Sequence, residues 1–204
     1  MLKINFLGDS ITEGVGASKK ENTFVYLVGQ MTNSIVRNYG ISGTRIAKSI
    51  VPSENPRFDL YLGSRVESMD KDADLVFVFG GTNDFGHNVV RFGKPGDKTP
   101  DTFYGAVDYL INELLKHYKK EQIIFILQLY RIEEFNEVFE IPLSQYREVI
   151  VAAAKTYGIK VLDIKDIIGK PMNNPLIIDG IHPSDLGHRR IAELISDYIQ
   201  NLKK

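Results

Sequence analysis

Apolar residues gather in four runs of strand length: LKINFL (2–7), ADLVFVFG (73–80), QIIFILQLY (122–130) and IKVLDI (159–164). A weaker fifth run is SIVRNYG (34–40). Their β-branched and aromatic content predicts strands. Between the runs the apolar positions recur every three or four residues instead. Val107, Leu110, Ile111, Leu114, Leu115 and Tyr118 predict a helix over 103–118, and Ile191, Leu194, Ile195, Tyr198, Ile199 and Leu202 predict another at the C-terminus. Shorter helical patterns cover 23–32, 59–69 and 142–157. Strands alternating with helices imply an α/β fold, a parallel sheet covered on both faces. The near-continuous apolar stretches 75–79 and 123–127 suit its central strands.

No repeat, low-complexity tract or linker divides the chain, so one domain is expected over residues 1–204. The least regular stretches, 82–102 and 129–141, each follow a strand. Ligands of an open parallel sheet bind beyond the carboxyl ends of its strands. The polar residues at those ends are Gly8-Asp9-Ser10, YGISGT (39–44) and GGTNDFG (80–86), and a later loop, IIDGIHPS (177–184), leads into the last helix. All four segments are expected at one crevice.

Charge and composition narrow the partners. Lys and Arg number 25 against 26 Asp and Glu, and this balance gives no electrostatic footing for nucleic acid or an anionic membrane. The expected partner is a small molecule; a homo-oligomer is compatible with the sequence but not required by it. The absence of cysteine removes disulfides, thiolate zinc sites and cysteine nucleophiles. Asn5 and Gly8-Asp9 interrupt the first apolar run well short of a signal-peptide core, and no run approaches the roughly 20 residues of a membrane span. A cytoplasmic location is the expectation.

Four histidines bound the search for a general base. His117 sits among Lys116, Lys119 and Lys120 and reads as solvated surface, and His188, beside Arg189 and Arg190, reads as equally bland. His87 follows the third strand without an assigned role. His182 has Asp179 three residues before it, and a carboxylate in such a turn can fix an imidazole's tautomer and stabilise its protonated form. The same residues also read as a braced turn before a helix cap at Ser184 or Asp185. Ser10 alone reads as an N-cap, and Asp9 and Asp84 as loop braces. Together, however, Ser10, His182 and Asp179 supply nucleophile, base and orienting acid. The backbone N–H groups of Ser10 and Gly43 and the amide of Asn83 supply oxyanion donors.

Four blocks, FLGDSITEG (6–14), NYGISGT (38–44), GGTNDF (80–85) and DGIHPS (179–184), stand in one order across nearly the whole chain. With them the sequence resembles the SGNH hydrolases, also called GDSL-type esterases and lipases. The first block reads Gly-Asp-Ser-Ile where the family motif has Gly-Asp-Ser-Leu. The resemblance implies a flavodoxin-like three-layer α/β/α sandwich of about five parallel strands and no cofactor or metal. It implies Ser10 as nucleophile, Asp179 and His182 as its triad partners, and Ser10, Gly43 and Asn83 as the oxyanion hole. The stretch 81–107 looks like that of small bacterial intracellular members, several of which remove acetyl groups from sugars or small esters. Three other readings stay open on the residues alone. One is a nucleotide binder using the Gly-rich GDSITEGVG, although it lacks the Gly-x-Gly-x-x-Gly and Walker spacings. The second is a metal hydrolase built on Asp9, Asp179 and His182. The third is a catalytically silent sugar-binding relative.

Overall fold

Alternate residues of each central strand serve opposite layers in the computed structural model, which describes residues 1–202. Residues 203 and 204 of the expected domain lie outside the described residues. Strands β1 (Lys3–Gly8), β2 (Ile35–Gly40), β3 (Leu75–Phe79), β4 (Ile123–Ile126) and β5 (Lys160–Leu162) form one parallel sheet in the order β2-β1-β3-β4-β5. The chain steps outward from β1 to β2, then returns past β1 and continues in the other direction. The switch point therefore lies between β1 and β3, where a crevice opens at the carboxyl ends.

Helices α1 (Ser10–Glu13), α2 (Phe24–Thr32), α3 (Leu62–Arg65) and α4 (Thr82–Gly86) fall in the first half of the chain. They are followed by α5 (Phe103–Leu115), α6 (Leu143–Tyr157), α7 (Lys165–Ile168) and α8 (Asp185–Asn201). On one sheet face Ile4, Phe6, Phe77, Phe79, Ile124 and Ile126 meet Phe24 and Val28 of α2 and Ile191 and Ile195 of α8. On the other, Leu7, Val76, Val78, Ile123 and Phe125 meet Leu62 of α3, Leu110 and Leu114 of α5, and Tyr146 and Ile150 of α6. This alternation follows from the two-residue period of a strand and makes the three layers. Phe6 and Phe77, opposite each other across β1 and β3, stack with centroids 5.2 Å apart. The α/β sandwich expected from the sequence is the fold observed.

Three expectations need correction. The predicted 59–69 helix reduces to α3 between short 3₁₀ turns at Pro56–Asp59 and Val66–Ser68. Asp59 turns back to accept the Ser53 N–H and hydroxyl at 2.9 and 2.7 Å, which closes a separate loop before α3. The 122–130 strand pairs only over Ile123–Ile126, because Arg147 takes the carbonyls of Gln128 and Leu129 at 3.0 and 2.9 Å. The irregular stretches are also less bare than expected: 82–102 opens with α4, and 129–141 carries a two-residue ladder between Phe135–Asn136 and Ile141–Pro142. Among the described residues no helix is long and apolar enough to cross a membrane.

Two glycines let α1 sit directly on the strand ends. A Cβ on Gly8 would stand 2.1 Å from Thr12 Oγ1 and 2.3 Å from the Phe79 carbonyl oxygen. A Cβ on Gly40 would stand 2.1 Å from the Glu13 backbone nitrogen. Gly8→Ala therefore overpacks the junction of β1, β3 and α1. Thermal and urea unfolding should show a loss of about 1–3 kcal/mol, in the range of overpacked cores; an unchanged midpoint would show that the junction has slack.

Candidate active site

The turn after β1 is held by its own side chains. Asp9 caps α1, its Oδ1 accepting the Ile11 N–H at 3.0 Å, and this places Ser10 as the first helical residue. Ser10 Oγ lies 2.9 Å from Nε2 of His182, and His182 Nδ1 lies 2.7 Å from Oδ2 of Asp179. The second oxygen of Asp179 accepts the N–H groups of Ile181 and His182 at 3.1 and 2.8 Å, so one carboxylate fixes both the loop and the ring. Burial opposes ionisation of Asp179, but these bonds to His182 and Ile181 outweigh it and hold the carboxyl below its ordinary range. With Nδ1–H directed at Asp179, Nε2 is left to accept the Ser10 hydroxyl proton.

Gly43 and Asn83 reach the same cleft from two other loops. Gly43 has φ +75°, and a Cβ there would meet the Phe58 ring at 2.8 Å. The loop before it is tied to α1 by Glu13, whose carboxylate accepts the Ser42 N–H at 2.6 Å, the Ser42 hydroxyl, and Arg57 Nη2 at 2.5 Å. Asn83 donates one amide hydrogen to the Thr44 carbonyl at 2.8 Å, which leaves its second hydrogen for the cleft. Ser10, as the first residue of its helix, has no intrahelical acceptor for its N–H. Ser10, Gly43, Asn83 and His182 line one cleft of about 300 Å³, with Val15, Ser42, His87, Arg131 and Ile181 around them. Asp179 stands behind His182, half exposed.

Asp9 and Asp84 flank the site and face into the protein. Asp84 accepts the Ile46 and Ala47 N–H groups, each at 2.8 Å, and fixes the loop that follows Gly43. Burial pushes its carboxyl up to about 7 against those two bonds. Burial likewise pushes Asp9 up to about 6, against the Ile11 N–H and the charges of His182 and Arg65. The metal-hydrolase reading needs Asp9 to join Asp179 and His182. Asp9 is turned instead to its own helix, and no three metal-ligating side chains converge among the described residues.

The histidines divide differently from the sequence expectation. His188 is fully buried: its Nδ1 accepts the Phe24 N–H at 3.3 Å and its Nε2 donates to the Val15 carbonyl at 3.1 Å. It clamps the loop after α1, a role that its arginine neighbours concealed. The signal was its phase, three and four residues before the apolar Ile191 and Ala192. His117 lies partly shielded against Glu67, its Nε2 2.7 Å from the carboxylate. His87 stands at the cleft rim, where packing and the charges of Arg45 and Arg131 hold it below its ordinary value. Glu13, which ties the Ser42–Gly43 segment to α1, is the second residue that sequence reasoning missed.

The model of the GDSL-like lipase/acylhydrolase family matches residues 6–190. The chain belongs to that family. This GDSL-family ester hydrolase is 25% identical to a protein from Lactobacillus plantarum of known structure, with a TM-score of 0.81 over 98% of this chain and 97% of that one. A member of the lipolytic protein G-D-S-L family from Veillonella parvula DSM 2008 shares the fold at 20% identity, with a TM-score of 0.69 over 98% and 99% of the two chains. None of the curated proteins compared matches the sequence.

The buried carboxyl of Asp84 makes a pH prediction for this hydrolase. Its folded pKa of about 7 lies above the ordinary carboxyl value, so the folded state holds the proton more tightly. The stabilising contribution is complete below the unfolded value and is lost as pH rises through 7. Urea midpoints should therefore fall more between pH 5 and pH 8 for wild type than for Asp84→Asn; parallel curves would remove Asp84 as the cause.

Proposed function

We propose that this hydrolase is a serine esterase that cleaves small carboxylic esters, short-chain acyl esters such as acetyl esters of sugars or related molecules, through an acyl-enzyme on Ser10. The observation that carries the reading is the run of contacts from Ser10 Oγ to His182 Nε2 at 2.9 Å and from His182 Nδ1 to Asp179 at 2.7 Å. A nucleophile, a base and an orienting acid in hydrogen-bond reach are what acyl transfer requires. A cleft of about 300 Å³ suits a small ester better than a long acyl chain.

In this mechanism His182 Nε2 takes the Ser10 proton as Oγ attacks the ester carbonyl, and Asp179 stabilises the imidazolium. The N–H groups of Ser10 and Gly43 and the Asn83 amide receive the oxyanion. His182 then protonates the leaving alcohol. Water, deprotonated by the same imidazole, attacks the acyl-enzyme, and Ser10 recovers its proton as the acid departs. Glu13 contributes indirectly, by keeping the Ser42–Gly43 segment against α1. An acetylated sugar as substrate is supported by the family resemblance.

Hydrolysis of p-nitrophenyl esters from acetyl to octanoyl tests the reading. Acetyl should turn over best and Ser10→Ala should be silent. Asn83→Ala should lose about 10²–10³ in kcat, as expected for one oxyanion donor. Asp179→Asn should stay folded and lose kcat. Wild-type activity retained in Ser10→Ala would contradict the proposal.

A further inference from the structure

Among the described residues no carboxylate lines the cleft that holds Ser10 and His182, yet a guanidinium, Arg131, faces it. Arg131 is fixed by groups that are themselves uncharged. Its Nη1 donates to the Thr82 carbonyl at 2.8 Å, and its guanidinium carbon lies 5.3 Å from the centroid of the Phe85 ring. Gly86 makes room for it, since a Cβ there would stand 2.4 Å from Nη1. Nε is buried without a hydrogen-bond partner.

The carboxylates whose charge acts on Arg131 are Glu133, Glu134 and Asp9, each at longer range than an ion pair. Glu134 accepts from Arg147 Nη1 and Nη2 at 3.0 and 3.2 Å, and from the backbone N–H of Arg131 rather than its side chain, at 2.8 Å. Asp179 is bound to His182 at 2.7 Å, and Asp59 pairs with Arg45 at 3.3 Å. Among the described residues, no carboxylate forms an ion pair with Arg131. A second cation backs the first: Arg45 is 3% exposed, has an unpartnered Nε, and places Nη1 3.3 Å from Nδ1 of His87 on the cleft rim. A fixed, partly desolvated guanidinium with open donors is suited to a planar or tetrahedral oxyanion.

We propose that Arg131 binds an oxyanion group of the substrate, so that the ester cleaved at Ser10 carries a carboxylate or a phosphate in addition to its acyl bond. The inference rests on the esterase reading above and names the substrate class within it. Arg131 takes no part in the bond-breaking steps; it sets which esters are held.

Matched pairs of esters test this and separate the position of the anion. On the acyl side, mono-4-nitrophenyl glutarate is compared with its neutral methyl diester. On the alcohol side, 3-acetoxybenzoate and 3-acetoxyphenyl phosphate are compared with methyl 3-acetoxybenzoate. At least one anionic ester should exceed its neutral partner about tenfold or more in kcat/KM, through KM, as a charge-assisted contact predicts. That preference should shrink as sodium chloride is raised. In Arg131→Gln the anionic-to-neutral ratio should collapse, and Arg131→Lys should retain part of it. Neutral esters preferred in every pair, or a ratio unchanged in Arg131→Gln, overturns the proposal. If Arg131→Gln does not fold, a wild-type preference indifferent to salt overturns it instead. Neutral esters cleaved without anionic preference leave the esterase reading standing; hydrolysis of no ester at all removes both.

Discussion

The backbone of α1 rests on the ends of β1, β2 and β3 at a distance only glycine allows. Cβ atoms on Gly8 and Gly40 would fall 2.1 Å from Thr12 Oγ1 and from the Glu13 nitrogen. This contact determines where Ser10 emerges. It also puts Glu13 within reach of Ser42, which couples the Ser10 turn to the glycine loop of the neighbouring strand. Arg65 reinforces the junction from below, donating to the carbonyls of Tyr39 and Gly8 at 2.7 and 2.9 Å and to Thr44 Oγ1 at 3.1 Å. Loops from β1 and β2 are thus tied together, as donors proposed to meet the same oxyanion require.

Electrostatics around the cleft follow from which charges are buried and which are paired. Asp9 and Asp84 are nearly or fully inaccessible, and burial draws both towards the neutral form. Asp179 keeps its charge through bonds to His182. Asp179, the carboxylate proposed to orient the base, is consequently set apart from Asp9 and Asp84, which brace loops beside Ser10 and Asn83. Three aspartates of one chemical type are separated by desolvation and by the number of N–H groups each accepts. The guanidiniums differ in their partners: Arg65 donates to two carbonyls and the Thr44 hydroxyl, Arg147 to two carbonyls and the Glu134 carboxylate, and Arg131 to the Thr82 carbonyl at the cleft.

Much of this arrangement was legible in the sequence because it follows local rules. Runs such as LVFVF and IIFI are apolar on both faces and so read as central strands, and glycine, serine and aspartate at strand ends read as turns over a crevice. Asp179 and His182 were readable as a pair because three residues separate them. The role of His188 was not, since its partners Val15 and Phe24 lie far away in sequence and Arg189 and Arg190 follow it directly. The end of β4 was also hidden: QLY continues the apolar run, and only the Arg147 side chain from α6 diverts its carbonyls from the sheet. Glu13 shares that limit: its tie to the glycine loop shows only when tertiary structure brings Ser42 to it.

The central claim is that Ser10 is the group made nucleophilic by this geometry, and covalent trapping tests it most directly. The protein is treated with a fluorophosphonate, with and without an excess of ester, and its intact mass and peptides are measured. The account predicts one adduct, on the peptide carrying Ser10, formed in step with loss of activity and slowed by the ester. Full inactivation with the adduct on another residue, or an active protein that takes up no label, would contradict it.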